Sequence, residues 1–574
     1  MLHRLGIFNN LIRGSFLLLV FGLGYTQIIK GPEYFRLSEQ NRIRLIPIIA
    51  PRGIIYDRNG QPIVSNKLAF DIVIIPQELK DKETTFIGLS KLIEIDKEEI
   101  ENIFKKNYLA PFAPVIIKRN LDRRLVSQIE ENKLGLPGVF VQTRAERYYH
   151  YPESTSHIIG YLGEINKKEL EYLKTYGYKI KDLIGRAGIE RLYDTFLRGD
   201  DGGMQLEVDN RGRLVEVLGQ KEPFRGNDIQ LTIDIKLQDY IFNIMESFQG
   251  ACVVMDVNNG EVLALVSKPS FNPTIFLNSV NKNKIRQLLT SKKRPFLNRA
   301  VSGLYQPASV FKLVVAIAAL ENKKISPYTE FTCSGVYKKG NAEFECWKKE
   351  GHGNLDLRGA IANSCNVYFY KLGSLIGADL ISRYALEFGF GRPTGIRLVP
   401  EAKGLVPTRM WKLLTKGENW YEGETLSFAI GHGYLLSSPL QVTRFISAIA
   451  NGGKLVQPQL IRNRDENENL QKVALNLNIS NETMKIIKEA MLEVVERDYG
   501  TGHNAKLNSL DIAGKTGTTQ QFIGKPHAWF TGFAPFGSPK FSVVVFLEHG
   551  GSGGADASII ASKIFQKMQE LKFL

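Results

Sequence analysis

The sequence predicts an α+β protein: one apolar N-terminal helix, a mixed α/β module, and a C-terminal domain in which strands and helices alternate irregularly. Three observations lead there. Residues 11–29, LIRGSFLLLVFGLGYTQII, are apolar and carry no charge from Gly14 to Ile29, which is the short end of a bilayer span of about 20 residues. Residues 250–257 and 261–266 are near-continuously apolar and are joined by an Asn-Gly turn, the pattern of strands buried on both faces. A wholly apolar helical run, residues 313–320, follows Lys312. At about 150 residues per domain, 574 residues leave room for two to four units.

Composition narrows the classes. Hydrophobic residues make up 43% and charged residues 23%, enough to bury large cores, so wholesale disorder is excluded. Four cysteines exclude a disulfide-dense scaffold. Lys+Arg at 74 against Asp+Glu at 59 gives a net charge of +15, which suits nucleic acid, an anionic membrane surface or an acidic polymer. The chain has no zinc-finger spacing, no RNP-like aromatic run and no basic heptad region, so nucleic acid is set aside. The densest basic patch runs from Lys282 through Lys284, Arg286, Lys292, Lys293 and Arg294 to Arg299; it reads as a solvated face, or as a surface that attracts acidic groups.

In chain order, residues 1–10 read as a cytoplasmic tail and 11–29 as an uncleaved signal-anchor. Arg4 and Arg13 precede the span, and Tyr25-Thr26-Gln27-Ile28 is a poor cleavage site. No later stretch is long and apolar enough to span, so the rest lies on one side, outside the cytoplasm. Residues 30–228 form the mixed module. In it, Asn59-Gly60 between apolar runs marks a hairpin, and residues 82–106 and 120–133 look like charged amphipathic helices. No nucleophile–base pair is recognisable there. Residues 229–574 form the last domain, opening with a strand over 229–233 and a helix capped by Asp234.

The chemistry sits in that last domain. Ser309 and Lys312 are three apart at the start of an apolar helix and so share a face. A lysine there is costly to bury charged, so its pKa should fall, and a depressed lysine beside a serine makes a nucleophile. Ser-x-x-Lys alone is a weak signal. Ser364-Cys365-Asn366 follows, and then Lys515-Thr516-Gly517-Thr518 with a strand-like Ala528-Trp529-Phe530 after it. Ser-x-x-Lys, Ser-x-Asn and Lys-Thr-Gly in that order is the signature of β-lactamases and penicillin-binding proteins. Acyl transfer needs Ser309 as nucleophile, Lys312 as proton acceptor, and Ser364 to pass a proton to the leaving amine while Asn366 holds the lysine or the substrate amide. The backbone N–H groups of Ser309 and Thr518 would face the oxyanion. Gly517 would let substrate approach a strand edge. Lys515, Thr516 and Thr518 would receive a carboxylate.

On these motifs the chain resembles a class B penicillin-binding protein over nearly its whole length. The Arg52-Gly53…Asp57-Arg58-Asn59-Gly60 hairpin, Gly160-Tyr161 and Gly188-Ile189-Glu190 are similar to that family's N-terminal pedestal. Ile430-Gly431-His432-Gly433 resembles a family Gly-x-Gly loop, usually Gly-Gln-Gly, with histidine as a departure. Trp347-Lys348-Lys349-Glu350-Gly351-His352-Gly353 and His527-Ala528-Trp529-Phe530 are most like the penicillin-binding protein 2 branch, the elongation enzymes. The resemblance implies an elongated pedestal and a β-lactamase/transpeptidase-like domain with a central antiparallel sheet flanked by helices. It implies a D,D-transpeptidase of the bacterial inner membrane, with its bulk in the periplasm, acting on peptidoglycan stem peptides ending in D-Ala-D-Ala. It also implies covalent binding of β-lactams and partnership with a RodA-like glycan polymerase and other elongation-complex proteins. A D,D-carboxypeptidase or β-lactamase, and a non-catalytic sensor or scaffold, share the motifs; the pedestal and anchor favour synthesis.

Cys333, Cys346, His352 and Cys365 are spaced C-x12-C-x5-H-x12-C, a Cys3His set with no standard finger spacing. A structural zinc, a Cys333–Cys346 disulfide and separate buried thiols are all open on the residues alone. The resemblance favours zinc, because penicillin-binding protein 2 enzymes hold one near this loop with carboxylates among the ligands. Cys252, in an apolar strand, is expected to be a core thiol. His157 and His527 are expected to be satisfied core or loop groups, and His549 to lie in a Gly-rich loop rimming the site.

Overall fold

The computed structural model describes residues 2–34, 43–108, 110–179, 182–209, 214–277, 282–462, 474–519 and 524–574. The N-terminal helix runs Leu2–Gly24 and continues as a π-type turn, Tyr25–Ile29. Within it Gly6–Ile29 is 24 residues long, and an 18-residue window of it has mean hydropathy 1.5. At 1.5 Å per residue that is about 36 Å, enough to cross a hydrocarbon core of about 30 Å. Phe16, Leu18 and Phe21 are exposed to the surroundings, as lipid-facing side chains would be.

By contacts the chain divides into two units, each drawn from three stretches of sequence. One comprises residues 1–53, 66–148 and 198–227; the other 54–65, 149–197 and 228–574. The core of the first packs Ile72 and Ile74 of a long strand against Phe86, Leu89 and Ile93, Ile100 and Phe104, and Ile129 from three helices. The single helix expected over residues 82–106 is two, Lys82–Ile93 and Lys97–Asn107. Glu94 closes the first in a left-handed conformation (φ 53°), and extended Asp96 opens the second. A separate antiparallel sheet joins Ile43–Ile48, Gly202–Val208 and Leu214–Lys221.

The second unit holds the Asn59-Gly60 hairpin. Its turn follows from Asp57, whose Oδ1 accepts the backbone N–H groups of Asn59 and Gln61, and from Gly60 at φ 84°. The strand expected over 229–233 is reduced to Ile229–Gln230, which pairs in parallel with Ile55–Tyr56. Beyond it Thr232 turns its hydroxyl to the carbonyl of Val262, and Asp234 Oδ1 caps helix α1 (Ile235–Ile244) through Leu237 N.

The main sheet has five strands: β1 (Gln249–Asp256), β2 (Val262–Lys268), β3 (Ala513–Thr519), β4 (His527–Ala534) and β5 (Phe541–Glu548). They are antiparallel throughout, in the order β2-β1-β5-β4-β3. Both faces are covered, which is why β1, β2 and β5 read as unbroken apolar runs. On one face lie α1 and the C-terminal helix Ser558–Glu570. On the other lie α2 (Lys312–Glu321), α3 (Leu357–Ala362), α4 (Asn366–Glu387), Pro439–Ala450 and Asn481–Glu496. Residues 312–319 of α2 are buried all round, and at about 1.5–3 kcal/mol per large apolar side chain this helix anchors the whole catalytic region. Strand β3 is left at the sheet's edge.

Arg299 departs from the solvated patch expected of it. It is 3% exposed, with its Nε 3.0 Å from Glu548 Oε1, while Lys284, Arg286, Lys292, Lys293 and Arg294 remain on the surface.

Candidate active site

Ser309 lies on a 3-10 turn, Ala308–Phe311, that runs directly into α2. Ala308 has φ 50°, a left-handed conformation that costs a non-glycine residue about 1 kcal/mol or more. The turn is held by a close backbone approach. Ala308 N donates to Gly431 O at 3.1 Å, and a Cβ on Gly431 would sit 2.0 Å from Ala308 O. Gly433 O accepts from Gln306 Nε2 at 2.7 Å. The His432 ring between these glycines keeps Nδ1 3.0 Å from Ile430 O, and burial lowers its pKa.

Lys312 is fully buried. Its Nζ donates to Ser364 O and Asn366 Oδ1, both at 2.8 Å, and lies 3.4 Å from Ser364 Oγ. Burial pulls its pKa down to about 8, opposed by the nearby Cys365 and Cys346 thiols. Ser364 sits between α3 and α4, also left-handed at φ 50°. Its hydroxyl accepts from Lys515 Nζ at 2.9 Å. Lys515 is fully buried on β3; burial first, and then the Lys312 charge, push its pKa well below the ordinary value. One hydroxyl thus bridges two amines that are both biased towards neutrality, and a proton can pass between them through Ser364.

All three motifs therefore converge. Thr516 and Gly517 are buried on β3, while Thr518 is exposed on this edge strand. A Cβ on Gly517 would lie 3.2 Å from Pro307 O and 3.4 Å from Ala308 Cβ, so the glycine admits the close approach of strand and nucleophile turn. Sequence reasoning missed Thr501, whose hydroxyl accepts from Thr516 Oγ1 at 2.7 Å and whose N donates to Ala362 O at 3.2 Å, tying β3 to the Ser364 loop. Nothing in Tyr499-Gly500-Thr501-Gly502 signals this. The Gly-rich loop after His549 reaches the site's rim as expected: Gly553 N donates to Thr518 Oγ1 at 3.2 Å.

The histidines and Cys252 lie as follows. Burial takes His157 down to about 4, with Nε2 3.5 Å from Pro269 O. His527 Nδ1 accepts from the backbone N of His549 at 3.0 Å. Cys252 is fully buried on β1, and burial raises its pKa.

The Sγ atoms of Cys333, Cys346 and Cys365 and a ring nitrogen of His352 lie within 4.8 Å of one another. His352 Nδ1 is 3.6 Å from Cys333 Sγ and 3.5 Å from Cys346 Sγ. A tetrahedral zinc with bonds of about 2.3 Å to sulfur and 2.0–2.1 Å to nitrogen places S and N about 3.6 Å apart, so the donor set fits that ion. All four cysteines are free in the structure. Cys365 caps α4, its Sγ accepting from Tyr368 N at 3.4 Å, and it points into the cluster while its neighbours Ser364 and Asn366 face Lys312. The cluster's loop is fastened to the same place by Trp347 Nε1 on Asn363 O at 3.0 Å and Asn366 Nδ2 on Glu345 O at 3.4 Å.

A five-stranded antiparallel sheet with a Ser-x-x-Lys helix behind an edge strand carrying Lys-Thr-Gly defines a penicillin-recognising acyl-transfer domain. Residues 250–567 match the penicillin binding protein transpeptidase domain, and residues 47–231 the penicillin-binding protein dimerisation domain. The chain is 34% identical over 581 residues to the peptidoglycan D,D-transpeptidase MrdA of Haemophilus influenzae, covering 96% of this chain and 89% of the relative. Among solved structures it resembles penicillin-binding protein 2 in its complex with MreC from Helicobacter pylori (TM-score 0.82, 30% identity, 93% of this chain and 99% of that one). It also resembles a chain of a peptidoglycan synthase complex that coordinates polymerisation and crosslinking (TM-score 0.75, 30% identity, 98% and 97%). The chain belongs to the class B penicillin-binding proteins, in the penicillin-binding protein 2 branch, and is a peptidoglycan D,D-transpeptidase.

Proposed function

We propose that the transpeptidation runs through an acyl-enzyme on Ser309. The observation that carries this is the buried Lys312 amine, held by Ser364 O and Asn366 Oδ1 at the foot of the Ser309 turn with its pKa brought to about 8. Neutral Lys312 takes the hydroxyl proton as Ser309 Oγ attacks the carbonyl carbon between the two D-alanines. The oxyanion faces the N–H groups of Ser309 and Thr518. The C–N bond breaks, the leaving D-Ala amine takes the proton by way of Ser364, and an ester remains on Ser309. A neighbouring stem amine then attacks the ester, gives up its proton by the same route and forms the cross-link, restoring the Ser309 hydroxyl. Lys515, Thr516 and Thr518 receive the terminal carboxylate on the edge strand. A β-lactam acylates the same serine. Water in place of the amine gives D,D-carboxypeptidase activity.

The same reading puts a short N-terminal tail in the cytoplasm, one helix across the inner membrane, and a pedestal of residues 30–228 and a transpeptidase domain of residues 229–574 in the periplasm. The complexes formed by the relatives support docking on a RodA-like polymerase and other elongation proteins. Cys333, Cys346, His352 and Cys365 would hold zinc, which when bound supplies folding free energy to the loop that presents Ser364 and Asn366.

The test is Ser309→Ala in full-length protein. Loss of covalent penicillin adduct by mass spectrometry, and of cross-linked product from lipid-linked peptidoglycan, is expected; labelling at the wild-type rate would refute the assignment.

A further inference from the structure

The peptide before the nucleophile turn is held by two donors that no part of the catalytic chemistry uses. Gln306 O, the carbonyl of a Gln-Pro bond, accepts from Trp529 Nε1 at 3.1 Å and from Thr519 Oγ1 at 3.2 Å. Pro307 has no N–H, so the backbone here cannot be tied to the sheet by an ordinary ladder bond. Trp529 is fully buried on β4 opposite Gly517, with its ring 4.4 Å from Phe546, and Thr519 is 1% exposed at the end of β3. Thr519 adjoins Thr518, and Gln306 lies three residues before Ser309. The Thr519 bond therefore joins the two strips of backbone whose N–H groups must converge on one oxygen, and the Trp529 bond reinforces it from β4, which pairs with β3 at Gly517 and Thr518. Neither side chain is among the groups assigned to the reaction above.

We propose that Trp529 and Thr519 are positioning residues that clamp the Gln306 carbonyl and thereby set the spacing of the oxyanion site between Ser309 N and Thr518 N. This rests on the acyl-enzyme reading above. A loosened clamp leaves the serine, the lysines and the carboxylate-binding groups in place and degrades only the interaction that grows in the transition state, so it should lower acylation rate without changing ground-state affinity.

The experiment uses full-length protein in detergent with Thr519→Val, Trp529→Phe, the double variant and Thr519→Ser. Stopped-flow acylation by a chromogenic cephalosporin separates the initial binding constant from the acylation rate constant. A substrate-like boronic acid, whose tetrahedral adduct with Ser309 puts an oxygen in the oxyanion position, gives a second readout. Removing one oxyanion donor outright costs about 10²–10³ in rate, so each displaced-clamp variant should lose about tenfold and the double variant about a hundredfold. Boronate affinity should fall by the same factors, initial binding should stay unchanged, and Thr519→Ser should remain within about twofold of wild type. A double variant that acylates at the wild-type rate, a loss carried by initial binding with boronate affinity intact, or a Thr519→Ser as impaired as Thr519→Val would each overturn the clamp. Ser309→Ala keeps the two readings apart: if it abolishes labelling while the double variant is normal, only the clamp fails.

Discussion

Replacing Lys312 by methionine should make the protein inactive and change how its stability depends on pH. The side chain is fully buried, and its pKa stands near 8 against an ordinary 10.5. At about 1.4 kcal/mol per pK unit, holding this lysine protonated in the fold costs about 3 kcal/mol. Methionine matches its length and removes that cost. It also leaves Ser364 O and Asn366 Oδ1 without the amine, and a buried acceptor stripped of its partner costs about 1–3 kcal/mol, so at pH 7 the two effects offset one another. The pH dependence is the sharper signature. Below about pH 8 both states are protonated and the wild type bears the full cost. Between about 8 and 10.5 the native state has shed its proton while the unfolded state still holds it, so wild-type stability climbs relative to the variant as pH rises. Lys515 acts in the same direction, because removing the Lys312 charge relieves one cause of its depression. Urea unfolding of both proteins, followed by tryptophan fluorescence from pH 6.5 to 9.5, reads the difference directly. A Lys312→Met variant that is less stable than wild type by the same margin at every pH would falsify the reasoning.

Three further outcomes follow from the geometry. The rate of covalent acylation by penicillin should fall as pH drops through about 8, since protonation of Lys312 removes the proton acceptor, and a pH–rate profile checks this. Gly431→Ala should cut acylation at least tenfold and lower the melting temperature, because the new Cβ would meet Ala308 O at 2.0 Å on a backbone of φ 77°. Cys346→Ser should lower bound zinc, measured by elemental analysis, and reduce thermal stability, while Ser309 still labels more slowly; full zinc content in this variant would remove Cys346 from the ligand set.

Much of this protein was legible before any coordinates, for local reasons. An apolar run long enough to span a bilayer, Asn-Gly turns between apolar strands, and a lysine one turn after a serine on an apolar helix are properties of neighbouring residues. The order of the three motifs marked Ser309, Lys312, Ser364, Asn366 and Lys515, and the structure brings the side chains of Lys312, Ser364, Asn366 and Lys515 within hydrogen-bonding reach. The spacing of Cys333, Cys346, His352 and Cys365 left a metal, a disulfide and separate thiols open; the loop between them folds back through the pairing of Cys333 with Gly353 and gathers the four.

What only the tertiary structure decided depends on partners distant in the chain. Arg299 is buried because Glu548 waits for it on β5, far from the basic run in which the sequence places it. Residues 54–65 and 149–197 pack with residues 228–574 because Ile55, Ile63, Tyr149 and Ile158 complete a core with Val253 and Leu265, an apolar match no linear pattern reveals. Thr501, which accepts from Thr516 Oγ1 and donates its N–H to Ala362 O, and Trp529, whose Nε1 donates to Gln306 O, bear on the site only through hydrogen bonds that tertiary packing sets up. Periodicity and motif spacing determine which residues share a face; the direction in which a buried donor points is settled only when the strand carrying it is docked, because its energy depends on an acceptor that the sequence places hundreds of residues away.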